Sequence, residues 1–299
     1  MNIIGRQELQ ENIELMAAQK NIYSRAKNII GVQMILSIPI AICAAITTIV
    51  KPELNGYIAL WGILIVLFDL FVFTPWVKNL QDSAARIQEL FDTKVLGLGW
   101  NEISVGKRPE PELVHEEAKK HGIVEEKIAG LRNWYPLIIG EIPEIFGIII
   151  SQRSNVWWDA RMRRKYILAI RVTLVFIAFG LIGYGLYEKK DMFEFLAFIV
   201  APLAATYVFG YRQMTEHRDA ADRLDKLKSF SEKIWSDALS GKDVATLMLE
   251  SRALQDQIFE HRKTNPPIFD FMFMWFRDGN EELMNKGAET LVNEYSRRS

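Results

Sequence analysis

"IIGVQMILSIPIAICAAITTIV", residues Ile29–Val50, carries no charged side chain in 22 positions. A helix needs roughly 20 apolar residues to cross a hydrocarbon core, and helices of soluble proteins seldom stay uncharged for that length. The stretch therefore predicts a membrane span. A long polar, amphipathic segment precedes it, whereas a secretory leader would begin with a short basic region. Moving outward, the turn "KPELNG" leads into a second uninterrupted apolar run, Tyr57–Val77, whose single charge is Asp69. Further along, Ile167–Tyr187 carries only Arg171 and Phe193–Tyr211 only Glu194. The links "KPELN" and "EKKD" are so short that these four spans predict two helical hairpins.

Lysine and arginine set the orientation. The two short loops hold Lys51, Lys189 and Lys190, while the other flanks hold Arg6, Lys20, Arg25, Lys27, Lys78, Arg86, Arg163, Arg212 and Arg218 among others. The positive-inside rule then predicts that both termini and the long middle segment face the cytoplasm. The polar flanks also read as helical. Leu9, Ile13, Met16 and Tyr23 keep three-and-four spacing before the first span, as do Leu80, Ala84, Ile87 and Phe91 after the second and Ala220, Leu224, Leu227, Ile234 and Ala238 after the fourth. Breaks are marked by Gly97–Gly99, Gly106–Pro111, Ser240–Asp243 and Thr264–Pro267. The expected architecture is an all-α membrane protein with four transmembrane helices in two hairpins and a helical cytoplasmic bundle. Its parts are an N-terminal helix over 1–28, a hairpin over 29–77, a middle region over 78–166, a second hairpin over 167–211 and C-terminal helices over 212–299.

Two neighbouring stretches are unusual. "WYPLIIGEIPEIFGIII", Trp134–Ile150, is apolar yet holds two prolines and two glutamates, which predicts a broken helix under the membrane domain or in its interface. "SQRSNVWWDARMRRKY", Ser151–Tyr166, follows it, with adjacent tryptophans and five basic residues around one aspartate. Aromatic rings and basic side chains suit a membrane–water boundary, so 134–166 is expected to be interfacial. Arg153, Asn155, Trp157, Trp158, Asp159, Arg161, Arg164 and Lys165 then form either a static lipid anchor or an element that couples the cytoplasmic part to the third span.

Composition excludes several functions. The net charge of −1 and pI of about 6.5 lack the basicity of a protein that coats DNA or RNA. The one cysteine, Cys43, permits neither an intrachain disulfide nor a cysteine-based zinc site. His115 and His121 are six residues apart rather than four, so "HEEAKKH" fails as a metalloprotease motif, and phosphate-loop, dinucleotide and nucleophile-elbow motifs are all absent. Neither an enzyme nor a cofactor is expected. Asp69 and Arg171 fall in the same half of the membrane, with Gln33 at similar depth; they read as a pair that registers two helices or as pore or gating groups. In "GLGWNEISVGKRPEP", Trp100, Asn101, Lys107 and Arg108 offer stacking, backbone donors and cations to a nucleotide, or form an ordinary solvated loop.

Three stretches together, "LFDTKVLGLGWN" at 90–101, "SQRSNVWWDARMRRKY" at 151–166 and "LQDQIFEHRKTNPPIFDF" at 254–271, resemble the SMODS-associated four-transmembrane effector family. The likeness spans nearly the whole chain. Ser151 stands where that family tends to have cysteine, and Phe271 and Phe273 where it has tryptophan and tyrosine. The resemblance implies a pore-forming effector of the bacterial inner membrane, encoded beside a cyclic-oligonucleotide synthase and triggered by a nucleotide signal. It brings an expected homo-oligomer, membrane lipid and a cyclic oligonucleotide as partners. The other reading is a non-conducting receptor or scaffold that signals through its helical bundle.

Overall fold

The computed structural model describes residues 1–37, 43, 47, 51–187, 191–196 and 201–298. Among them no strand occurs, and eight helices exceed ten residues. They are α1 Gln10–Ser37, α2 Asn55–Phe68, α3 Thr74–Leu96, α4 Pro111–His121, α5 Glu144–Tyr187, α6 Ala201–Leu239, α7 Val244–Thr264 and α8 Asp270–Arg298. Their ends follow the local chemistry. Gly97 adopts φ 67 and closes α3 with its N–H on the Thr93 carbonyl, a left-handed cap that glycine takes without strain. The Asp243 carboxylate accepts from the Ala245 and Thr246 amides and starts α7. All four sequence breaks fall between helices.

The apolar stripes become one core. α1 packs on α3 and α4, α5 pairs along its length with α6, and α7 lies across α3, α5 and α6. Ile13 and Met16 of α1, Ile87 and Phe91 of α3, Ile148–Ile150 of α5, Ile234 of α6 and Leu254 of α7 meet there almost without exposure. Burying each large side chain stabilises the fold by about 1.5–3 kcal/mol. The 134–150 segment, expected as a broken helix under the membrane domain or in its interface, packs into this core. Tyr135, Ile139, Ile142, Ile145 and Ile148 are all buried, and Tyr135 stacks on Phe91 at 6.2 Å. Its prolines delimit a short 3-10 turn, Leu137–Glu141, that feeds α5, and protein side chains rather than lipid satisfy its apolar surface.

Two helices among the described residues are long and apolar enough to cross a membrane, Leu60–Leu96 and Glu144–Tyr187. Their apolar stretches are bare: Phe71 is 70% exposed and Phe176 is 73% exposed. Patches this large are not left in water by a soluble protein. The expected first and fourth spans, 29–50 and 193–211, lie partly outside the described residues. Between α2 and α3 the chain makes one π turn, Asp69–Phe73, just before Pro75, which has no N–H to continue the regular ladder.

Candidate functional site

Beside its apolar stripe, α3 carries a second one, Ala85, Glu89, Asp92 and Leu96, again at three-and-four spacing. α7 covers this face, so both carboxylates are fully enclosed. Buried charges persist only when they are paired and hydrogen-bonded, and the surrounding helices supply the partners. Arg252 donates to Glu89 at 2.6 Å, and Gln255 donates to Glu89 at 2.8 Å and to Asp92 at 2.9 Å. Arg262 and the Tyr135 hydroxyl also donate to Asp92. Gln152 of α5 joins through Gln255 at 3.1 Å. Burial, and then the neighbouring Asp92 carboxylate, push the Glu89 carboxyl up to about 7, with Arg252 and Gln255 restraining the rise.

A second cluster sits about two turns further along α5, from Gln152 to Asp159. Asp159 pairs with Arg163 at 3.1 Å and with the His261 Nε2 of α7 at 3.0 Å. Burial works against its ionisation, but Arg163 and His261 prevail and hold it well below the usual carboxylate range. Arg163 also meets His217 Nδ1 at 3.2 Å and the Pro266 carbonyl at 3.1 Å. Burial and the Arg163 cation push His217 down to about 3, so its ring is neutral near neutral pH.

Above these clusters opens a cleft of about 290 Å³ between α1, α5, α8 and the 130–134 loop. Six cationic side chains line it, Lys20, Lys27, Arg132, Arg163, Arg262 and Arg277, against three carboxylates, Asp159, Asp270 and Glu281. Trp134, Trp158 and Tyr23 supply aromatic walls, and Asn133, Asn155 and Asn265 supply amides. Asn133 holds a left-handed backbone, φ 51, with its N–H on Glu8 at 2.7 Å. Two of the stretches that carry the family resemblance, 151–166 and 254–271, converge on this cleft. The third reaches it through Asp92 and its bond to Arg262.

The sequence-derived site residues fall elsewhere in part. Asn155, Trp158 and Asp159 line the cleft, but the basic residues of 151–166 meet protein: Arg153 bonds Glu232 at 2.9 Å, Arg164 bonds Asp225 and Arg161 bonds Asn280 at 3.0 Å. Trp157 lies half-buried beneath the Arg161 guanidinium, and Lys165 sits 4.7 Å over the Phe276 ring. The stretch is thus a wall of the bundle, because α5 is enclosed there by α6, α7 and α8. In the 97–111 loop, Trp100 packs against the buried Ala85, Val105 and Phe259. That indole donates to the Gly106 carbonyl at 2.9 Å with Arg108 stacked at 5.8 Å, Asn101 caps a short turn and bonds Asp256, and Lys107 points to solvent. Asp69 accepts from Gln33 rather than from Arg171, which is exposed in a shallow groove with Arg164, Arg218 and Asp222. Ser151 is buried and bonds its own helix at the Gly147 carbonyl.

Lys20, Arg132, Arg252, Arg262 and Arg277 were not singled out from sequence. Their signal is faint, since none stands in a spacing that marks it apart from the other cations of a helix face or loop. Glu89 and Asp92 had a better one, an acidic pair threaded between apolar residues on a helix already marked as core. Among the described residues no group of three or more His, Cys, Asp or Glu side chains could hold a metal ion.

A helical bundle rich in internal charge and continuous with bare apolar helices defines a membrane protein whose polar chemistry lies beside its spans. Within that class, the chain belongs to the family of the SMODS-associating 4TM effector domain, which it matches over residues 1–291. It is similar to a probable CBASS effector molecule of Bacillus cereus strain VD146, with 23% identity over 286 residues that cover 94% of each chain. No solved structure matches it. The family is one of membrane effectors in antiphage defence and not one of enzymes.

Proposed function

We propose that this protein is a four-span effector of the bacterial inner membrane, with both termini and the bundle in the cytoplasm. It assembles into homo-oligomers and permeabilises the membrane when a cyclic oligonucleotide engages the bundle. Four helices of one subunit fill their own centre with side chains, so conduction requires several copies around a shared lumen. The observation that carries the reading is the continuity of α5. Its 44 residues run without a break from the charged cleft through the apolar stretch 167–187, about 66 Å at 1.5 Å per residue. A single rod thus joins the place where a signal can bind to the place where a membrane is crossed.

The test is dye release from liposomes holding the purified chain, challenged with cyclic di- and trinucleotides of adenine and guanine. Nucleotide-dependent leakage with a rise in oligomer mass is the expected result. Binding without leakage would favour the non-conducting receptor.

A further inference from the structure

We propose that the cleft between α1, α5 and α8 is a binding site for a phosphodiester nucleotide, with Lys20 and Arg277 on its phosphates and Trp134 against a base. The inference rests on the signal-responsive reading above and gives it a location and a chemistry.

The charge balance is the first ground. Each of the three carboxylates in the cleft is already committed: Asp159 to Arg163 and His261, Asp270 to Lys27 and Ser24, and Glu281 to Arg277. Lys20 makes no ion pair among the described residues, although it faces a half-enclosed space. Burial, and then the Arg277 cation, push its ammonium below the ordinary lysine range, with the Asp270 carboxylate offsetting part of the fall and Lys27 adding to it. Lys20 is thus a half-enclosed cation beside two others whose carboxylates are already engaged, and a bound phosphate would relieve the repulsion it meets there.

Construction is the second ground. The Arg277 guanidinium lies so close to Gly130 that an added Cβ would fall 2.7 Å from its Nη1, and Nη2 donates to the Gly130 carbonyl at 3.3 Å. The arginine is therefore held against the cleft floor instead of waving in solvent. Trp134 lines the same cleft, and its buried Nε1 proton has no acceptor. Aromatic faces combined with cations are the usual means of gripping a base together with its phosphate. At about 290 Å³ the cavity takes one nucleotide unit, and the exposed Asn133 marks the mouth where the remainder would sit.

A lipid headgroup offers the same phosphate chemistry without a base, so the experiment includes both. Full-length protein in neutral detergent is titrated with cyclic di-AMP, cyclic di-GMP and cyclic tri-AMP, and separately with glycerophosphoglycerol, by calorimetry. We expect at least one cyclic nucleotide to bind, and Lys20→Gln and Arg277→Gln each to weaken it by about tenfold or more, as the loss of a charge-assisted contact implies. Lys107→Gln and Arg108→Gln should leave the affinity unchanged. Thermal unfolding identifies any variant that fails to fold, and Trp134→Leu provides a neutral alternative to the charge changes. The assignment is overturned if no cyclic nucleotide binds, if glycerophosphoglycerol binds equally well, or if the cleft variants bind like wild type. Dye release separates the two readings. Triggered leakage that ignores the cleft variants removes this site but keeps the effector, whereas cleft-dependent binding without leakage keeps the site and removes permeabilisation.

Discussion

Glu89 is fully enclosed, beside a second carboxylate, and its folded-state value of about 7 exceeds the ordinary 4.5. The native state therefore holds this proton where the unfolded chain has released it. Stability from this residue is present below about pH 4.5 and is lost as pH rises through about 7, a change on the order of 3 kcal/mol. His217 acts with the opposite sign, since a folded value of about 3 makes stability rise with pH up to its unfolded value near 6.5. A difference between proteins isolates the first effect. Relative to wild type, Glu89→Gln is expected to gain stability between about pH 5 and about pH 8, read as the shift in urea midpoint at each pH. Parallel pH profiles for the two would show that Glu89 is ionised throughout.

At the level of helices, α1, α3 and α6 could be read from sequence because their stripes agree with their tertiary contacts, and α7 because breaks bound it at both ends. The 134–166 region could not. Apolar density and paired tryptophans look the same whether the neighbour is lipid or protein, and only the arrangement of α6, α7 and α8 around α5 decides between them. The cleft was illegible for a related reason: its cations come from five separate segments whose spacing in the chain gives no sign that they meet. The structure points to another aromatic anchor. α8 begins at Asp270, tied to Lys27 and Ser24 just before the first expected span, and leaves Met274 70% exposed and Trp275 77% exposed. Tryptophan at that level suits the headgroup region. In liposomes with brominated lipids, Trp275→Ser should remove a large share of the fluorescence quenching, while Trp157→Ser removes little. Equal losses would place both rings alike.

Across the whole molecule, the Leu60–Leu96 run and α5 with its partner α6 join the apolar stretches to the bundle, and α5 and α6 meet closely where Gly210 lies against Leu174. Flexibility placed at the junction should separate input from output. Replacing Ala169 and Ile170 by glycine is expected to preserve nucleotide affinity and abolish triggered leakage, because a glycine pair permits a kink. Undiminished leakage in that variant would mean that the signal travels by another helix. The unbroken run of α5 has a mechanical corollary. Tyr187 lies 28 residues beyond Asp159, about 42 Å along the axis, so a tilt of about 5° at the cleft swings the far end sideways by about 4 Å. In the proposed assembly the helix would act as a lever with its short arm at the cleft, enlarging a displacement no bigger than the closing of one side chain into the parting of neighbouring subunits at its far end.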